Sequence, residues 1–202
     1  MYARLPSFVL GFHGCDREVG EAILAGKSEL KPSLNDYDWL GSGCYFWENS
    51  PECAAEYAHM LSGLKRRSAS AIREPFVLGA ILDLGHCLNL LDHRALETLR
   101  LQYTEFARLC QEAGITMPAN TPLRTGEDLI LRRLDRAVIE SLHARRNEQD
   151  EPAYDSVRGV FFEGSELFPN AGFRAKNHIQ ICLRNQRGIL GYFRPRGNLL
   201  SR

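Results

Sequence analysis

One run constrains this fold more than any other: Asp38-Trp39-Leu40-Gly41-Ser42-Gly43-Cys44-Tyr45-Phe46-Trp47-Glu48-Asn49-Ser50-Pro51. Two glycines two apart let the backbone take positive φ and come close to another group. The aromatic block that follows suits a strand, where alternate side chains leave opposite faces. Tyr45 and Trp47 then share one face and Phe46 takes the other. Ser50 is a ready N-cap and Pro51 fits the first helical position, so the strand passes directly into a helix. The run presents a tyrosine face beside open backbone, a shelf for a flat ring. Taken alone, it also reads as a buried strand followed by an amphipathic helix.

Two further segments carry polar residues where a core strand would not need them. Phe8-Val9-Leu10-Gly11-Phe12-His13-Gly14-Cys15 is a short apolar strand that ends in a histidine and a glycine. Lys176-Asn177-His178-Ile179-Gln180-Ile181-Cys182-Leu183-Arg184-Asn185 is a strand on which His178 and Gln180 share a face opposite Ile179 and Ile181. Polar groups on a buried face require hydrogen-bond partners. Singly, a strand-end histidine is most simply structural and a strand glutamine most simply faces water.

In this order, His13-Gly14, Gly41-Ser42-Gly43-Cys44-Tyr45-Phe46 and Gln180 resemble the ADP-ribosyltransferases of the diphtheria-toxin and poly(ADP-ribose)-polymerase type. That family carries a His on its first core strand, a Tyr on a later one and a Glu or a substitute on a third. The resemblance covers 8–60 and 157–195. It implies an α+β fold with a split antiparallel β-sheet core, flanking helices and a helical insertion at about 92–147, all in a single domain over 1–202. It implies NAD as co-substrate and transfer of ADP-ribose to a macromolecular acceptor, protein or nucleic acid.

By the same resemblance, His13, Tyr45 and Gln180 are the catalytic residues. His13 holds the adenine-side ribose, and the Gly14 main chain takes the nicotinamide amide. Gly43 lies beside the ligand, Tyr45 stacks on the nicotinamide, and Tyr57 is a second wall. Phe168, Phe173 and His178 recognise the acceptor. Where the family most often has glutamate, this chain has Gln180, which keeps the hydrogen bonding to a ribose hydroxyl but loses the countercharge. Single transfer is then expected rather than chain elongation, and NAD glycohydrolysis or a non-catalytic binding module on the same fold are the alternatives. Glu163 and Glu166 offer carboxylates on the loop before Gln180. A cytoplasmic bacterial toxin of a toxin–antitoxin or phage-defence system, with a neutralising protein partner, fits such a transferase.

Composition sets limits on these readings. At 202 residues and 44% hydrophobic, the chain buries a proper core. Its 25 basic residues balance 25 acidic ones, so bulk charge points to neither nucleic acid nor membrane. Lys65-Arg66-Arg67, Arg132-Arg133 and Arg145-Arg146 are local clusters that suit solvated surface and helix ends. Six scattered cysteines without a Cys-x-x-Cys fit a reducing compartment, no metal grouping appears, and no apolar run reaches membrane-spanning length.

Patterning predicts strands over 7–12, 44–47, 76–84, 157–162 and 188–193. Helices are expected over 18–25, capped by Asp16, and from Pro51 to about Leu64. Leu96, Leu99, Tyr103, Phe106 and Cys110 form a helical stripe ended by Gly114. Ile130, Leu134, Val138 and Leu142 form a second, with a Thr125–Asp128 capping pair before it. This helical pair reads as a lid or packing layer without chemistry of its own. Phe168 and Phe173, on the glycine-bearing loop from Glu163, are expected to divide the work, one anchoring and one reading the acceptor.

Overall fold

The computed structural model describes residues 8–63, 72–122 and 128–197. Its elements run β1 (Val9–Asp16), α1 (Arg17–Leu24), β2 (Cys44–Glu48), α2 (Pro51–Ser62), β3 (Pro75–Leu82), β4 (Cys87–Asn89) and α3 (His93–Glu112). They continue with β5 (Asn120–Thr121), β6 (Leu131–Arg132), α4 (Arg133–Glu148), β7 (Ser156–Phe161), β8 (His178–Leu183) and β9 (Ile189–Phe193). The fold is α+β. Seven strands make one mixed sheet in the order β4-β7-β8-β2-β1-β3-β9, and β5 and β6 form a separate ribbon. Only β4–β7 is parallel; the other pairs are antiparallel.

The strand alternation decides what each face buries. On one face Phe46, Leu78, Leu82, Ile181 and Leu183 pack with Ile23 of α1. The other face carries two clusters. Leu40, Val157, Phe161 and Cys182 pack against Ile139 and Leu142 of α4, and Phe12, Trp47 and Val77 pack against Ala54 and Ala55 of α2. The alanines of α2 let its backbone lie close to β1: a Cβ on Gly14 would stand 2.3 Å from the Ala54 carbonyl oxygen. Gly14 is therefore required by helix packing.

Several expectations need correction. β1 continues to Asp16, paired with β3 from Val9–Leu82 through Asp16–Pro75, so His13 and Gly14 lie inside a strand rather than at its end. Asp16 does cap α1, accepting from the Glu18 amide at 3.0 Å, whereas the Ser50 side chain makes no capping hydrogen bond to α2. The edge strand β4 was not foreseen; three residues are too short to display a period. The helical pair is present as α3 and α4, and α4 packs on the sheet. The α3 stripe stays half open, with Leu96 48% and Tyr103 44% exposed and only Cys110 of its five residues buried. α4 starts at Arg133, just past Ile130. Thr125 and Lys65-Arg66-Arg67 lie outside the described residues. Among the described residues no helix is long and apolar enough to cross a membrane.

Candidate functional site

The site begins where the sheet opens. β1 and β2 pair only at Gly11–Glu48 and Phe12–Trp47, although β1 itself runs on for four residues towards Asp16. Beyond Phe12 a side chain takes over: the His13 ring donates through Nδ1 to the Tyr45 carbonyl at 2.8 Å. A carbonyl oxygen only accepts, so Nδ1 carries the proton and Nε2 presents its lone pair. Burial holds the His13 pKa below the usual histidine value, against the opposing pull of the Tyr45 carbonyl, which keeps the ring neutral near pH 7.

This side-chain bond changes what Gly14 presents. In an antiparallel ladder alternate residues exchange their main-chain bonds with the same neighbour. The Asn49 amide donates to the Leu10 carbonyl at 2.9 Å, so Leu10, Phe12 and Gly14 turn their amide and carbonyl groups towards β2. An unbroken ladder would pair Gly14 with Tyr45. His13 holds the Tyr45 carbonyl instead, and the alternation points the Gly14 amide and carbonyl towards β2.

A row of aromatic rings lies on the α2 side of the sheet, beginning at the Phe12–Trp47 rung and running across β8 away from Gly14. Trp47, opposite Phe12 on β1 and Gln180 on β8, lies 5.0 Å from Tyr57 of α2, ring centre to ring centre. His178 follows, with centroids 6.4 Å from Trp47, 5.6 Å from Phe161 and 6.5 Å from Trp39. Arg132 of β6 closes the row, its guanidinium carbon 4.4 Å from the Trp39 ring centre and 5.4 Å from that of Phe161. Gln180 and His178 are joined at 3.2 Å between Nε2 atoms, and His178 Nδ1 donates to the Lys176 carbonyl at 2.7 Å. Burial, with the nearby Lys176 charge, lowers the His178 pKa.

The structure brings Gly14, Trp47, Tyr57, His178 and Gln180 to one side of the sheet, and it treats the other expected residues differently. His13 leaves the opposite face, its ring 6.0 Å from that of Phe46, so His13, Tyr45 and Gln180 do not share a face. Tyr45 serves the glycine turn: its hydroxyl donates to the Gly41 carbonyl at 2.8 Å and accepts from the Leu40 amide at 2.9 Å, while its ring packs on the cluster around Leu40 and Cys182. Burial raises the Tyr45 pKa far above its ordinary value, so the hydroxyl stays protonated. Gly43 has both main-chain groups engaged by Ser33, at 2.8 and 3.1 Å, leaving neither for a ligand.

Phe168 and Phe173 are 57% and 63% exposed, so neither anchors the loop. Main-chain bonds hold it instead, Leu167 amide to Phe173 carbonyl at 3.0 Å and Ala175 amide to Ser165 carbonyl at 2.9 Å. Glu163 lies beside Asp128, Arg132 and Lys176. Its burial and the Asp128 charge raise its pKa, and its Oε1 is buried without a hydrogen-bond partner. Glu166 turns to its own loop, accepting from the Asn170 amide at 3.0 Å.

The turn that carries Tyr45 is fixed from α4. Gly41 has φ +87°, and a Cβ there would meet Glu140 Oε1 at 2.7 Å. Glu140 Oε1 accepts from the Ser42 amide at 2.5 Å and from Arg184 at 2.9 Å, and Arg136 donates to the Ser42 hydroxyl at 3.0 Å. The helical region is thus the packing layer expected of it, and through Glu140 and Arg136 it also fixes this turn. Sequence reasoning gave no role to Trp39 or Phe161 and placed Arg132 on solvated surface, whereas its side chain is 23% exposed and packed over both rings. One signal was available, since the chain's two tryptophans, Trp39 and Trp47, bracket the Gly41–Gly43 turn.

Compared with protein-family models, with curated proteins and with solved structures, the chain matches none.

Proposed function

We propose that this chain binds NAD in the opening between β1 and β2, cleaves the nicotinamide–ribose bond and transfers ADP-ribose to a macromolecular acceptor. The observation that carries the reading is that β1–β2 pairing runs only to Phe12–Trp47, beyond which His13 holds the Tyr45 carbonyl; strand alternation then points the Gly14 main-chain groups towards β2. An amide N–H and a carbonyl on one residue complement a primary carboxamide, which offers one acceptor and two donors. Two such bonds contribute roughly 0.5–1.5 kcal/mol each. Trp47 and Tyr57 supply the flat walls that Tyr45, tied into its turn, does not. Gln180, on the same face as Trp47, offers a carboxamide to a ribose hydroxyl. His13, whose ring leaves the opposite face, contributes by holding the Tyr45 carbonyl.

The chemistry asked of these groups is orientation and stabilisation of charge that develops on the ribose as the bond breaks. A neutral glutamine supplies dipole rather than countercharge, which favours a slow single transfer. The test incubates purified chain and labelled NAD with lysate, wild type beside Gln180→Ala, and divides the products by protease and nuclease. Wild type is expected to label a macromolecule, and Gln180→Ala to lose turnover while largely keeping NAD affinity. Protease-sensitive label means a protein acceptor, and nuclease-sensitive label a nucleic acid. Free ADP-ribose without label means a glycohydrolase, and NAD binding without turnover a non-catalytic module. Equal labelling by both proteins would refute the role given to Gln180.

A further inference from the structure

We infer that His178 is a positioning residue: its ring sets which end of the Gln180 carboxamide faces the ligand. The inference rests on the NAD-cleaving reading of the same opening. A primary carboxamide has a donor end and an acceptor end of nearly equal shape, and only its partners decide between them. The partner here is unambiguous. The Lys176 carbonyl accepts from His178 Nδ1 at 2.7 Å, so a neutral ring has only a lone pair at Nε2. The group facing that lone pair at 3.2 Å must be the Gln180 amino end. The Gln180 oxygen is then turned away from His178 and free to accept from a ribose hydroxyl. It is the same kind of atom that a carboxylate at this position would present.

Protonation of His178 reverses the arrangement. Nε2 becomes a donor, the Gln180 oxygen must turn to it, and the amino end is left for the ligand, where it cannot accept from a hydroxyl. The surroundings oppose that protonation. Trp47 of β2, Phe161 of β7 and Trp39 before the glycine turn face the ring, and Tyr57 of α2 backs Trp47. Lys176 lies on its own strand's approach, and Arg132 of β6 stacks on two of the three rings. The neighbouring carboxylates are Glu163, set among Asp128, Arg132 and Lys176, and Asp128 itself, which accepts from the Gly164 amide at 2.9 Å. The His178 pKa lies below the ordinary histidine value, so the productive orientation holds at neutral pH and is lost as pH falls through the folded pKa.

Two measurements test this on the full chain. The first follows the Gln180 side-chain amide by ¹⁵N NMR without NAD, assigned by its loss in Gln180→Glu. Its signals are expected to shift with the His178 titration, at a midpoint below about 6.5. A flat Gln180 amide while His178 titrates would overturn the proposal. The second compares nicotinamide release by His178→Ala with its parent, in the wild-type and Gln180→Glu backgrounds. A carboxylate offers oxygen at both ends and needs no orienting partner. The loss of kcat on His178→Ala is therefore expected to be about tenfold larger in the wild-type background than in the Gln180→Glu background. Equal losses would mean that His178 acts as a wall or a base and would also overturn the proposal. If Gln180 follows His178 by NMR and neither background releases nicotinamide, the positioning stands and the NAD reading falls.

Discussion

Replacing Glu140 with glutamine removes one charge and changes little in shape, which makes it a clean probe of how α4 holds the glycine turn. Glu140 Oε1 accepts from the Ser42 amide at 2.5 Å and from Arg184 at 2.9 Å, and Oε2 accepts from Arg184 at 3.2 Å. A glutamine keeps one acceptor end. If that end stays on Ser42, its amino group faces the Arg184 donors, which have no use for it. Hydrogen bonds to charged groups contribute roughly 1.5–3 kcal/mol each. The Arg184 and Glu140 side chains are 23% and 28% exposed, so water screens part of the pair. A net cost of about 2–3 kcal/mol follows. For a chain of this size that lowers the Tm by roughly 4–12 °C.

The pH dependence sharpens the test. Burial alone would raise the Glu140 pKa, but the Arg184 and Ser42 hydrogen bonds and the Arg184 charge outweigh it and the net shift is downward. A depressed carboxylate contributes its stability above the unfolded-state pKa, about 4.3, and loses it as pH falls through the folded value. Urea denaturation of wild type and Glu140→Gln at pH 7 is therefore expected to show the full difference, and at about pH 3 a much smaller one. A difference under about 0.5 kcal/mol at pH 7, or one equally large at both pH values, would mean that the Glu140 charge does not hold the turn.

Two further outcomes are expected. Tyr45→Phe strands the Leu40 amide and leaves the Gly41 carbonyl only the weak Cys182 thiol donor, and should cost about 1–3 kcal/mol by urea denaturation; a neutral result would show that the hydroxyl does not secure the turn. Phe46→Ala, at a site with 0% exposure, should cost about 3–5 kcal/mol, and Tyr103→Ala, 44% exposed on α3, clearly less; the reverse ranking in thermal melts would mean that the α3 stripe is covered in solution.

The strands were legible wherever apolar residues run on or alternate over enough length. Phe76 to Leu82 announces a buried strand, and His178 and Gln180 do share the face that period two assigns them. Tyr45 and Trp47 likewise share a face, as the alternation requires. What the alternation cannot show is where a strand stops, and β1 runs through His13 and Gly14 because Asp16 pairs with Pro75 far along the chain. Nor can it show that a tyrosine hydroxyl is spent on the turn just before it, or that Arg132 reaches Trp39, since both depend on tertiary placement. The α3 stripe has helical period and no complete cover. Its groove with α4, lined by Leu96, Leu99, Tyr103, Leu134 and Val138, is open. Periodicity names a face and does not say that anything lies on it.

The opening at β1–β2 has a consequence for how this sheet can change over evolution. A rung made of main-chain bonds is indifferent to sequence, since nearly every residue supplies the same amide and carbonyl. Beyond Phe12 and Trp47, the tie described between the β9–β3–β1 half and the β2–β8–β7–β4 half is an imidazole holding a carbonyl. Continuity of the sheet at that point is written in a single codon. A residue too short to reach Tyr45 would release its carbonyl to Gly14, lengthening the ladder and closing the gap the ring keeps open. Stiffness and openness at this seam can therefore be adjusted without touching the strands on either side.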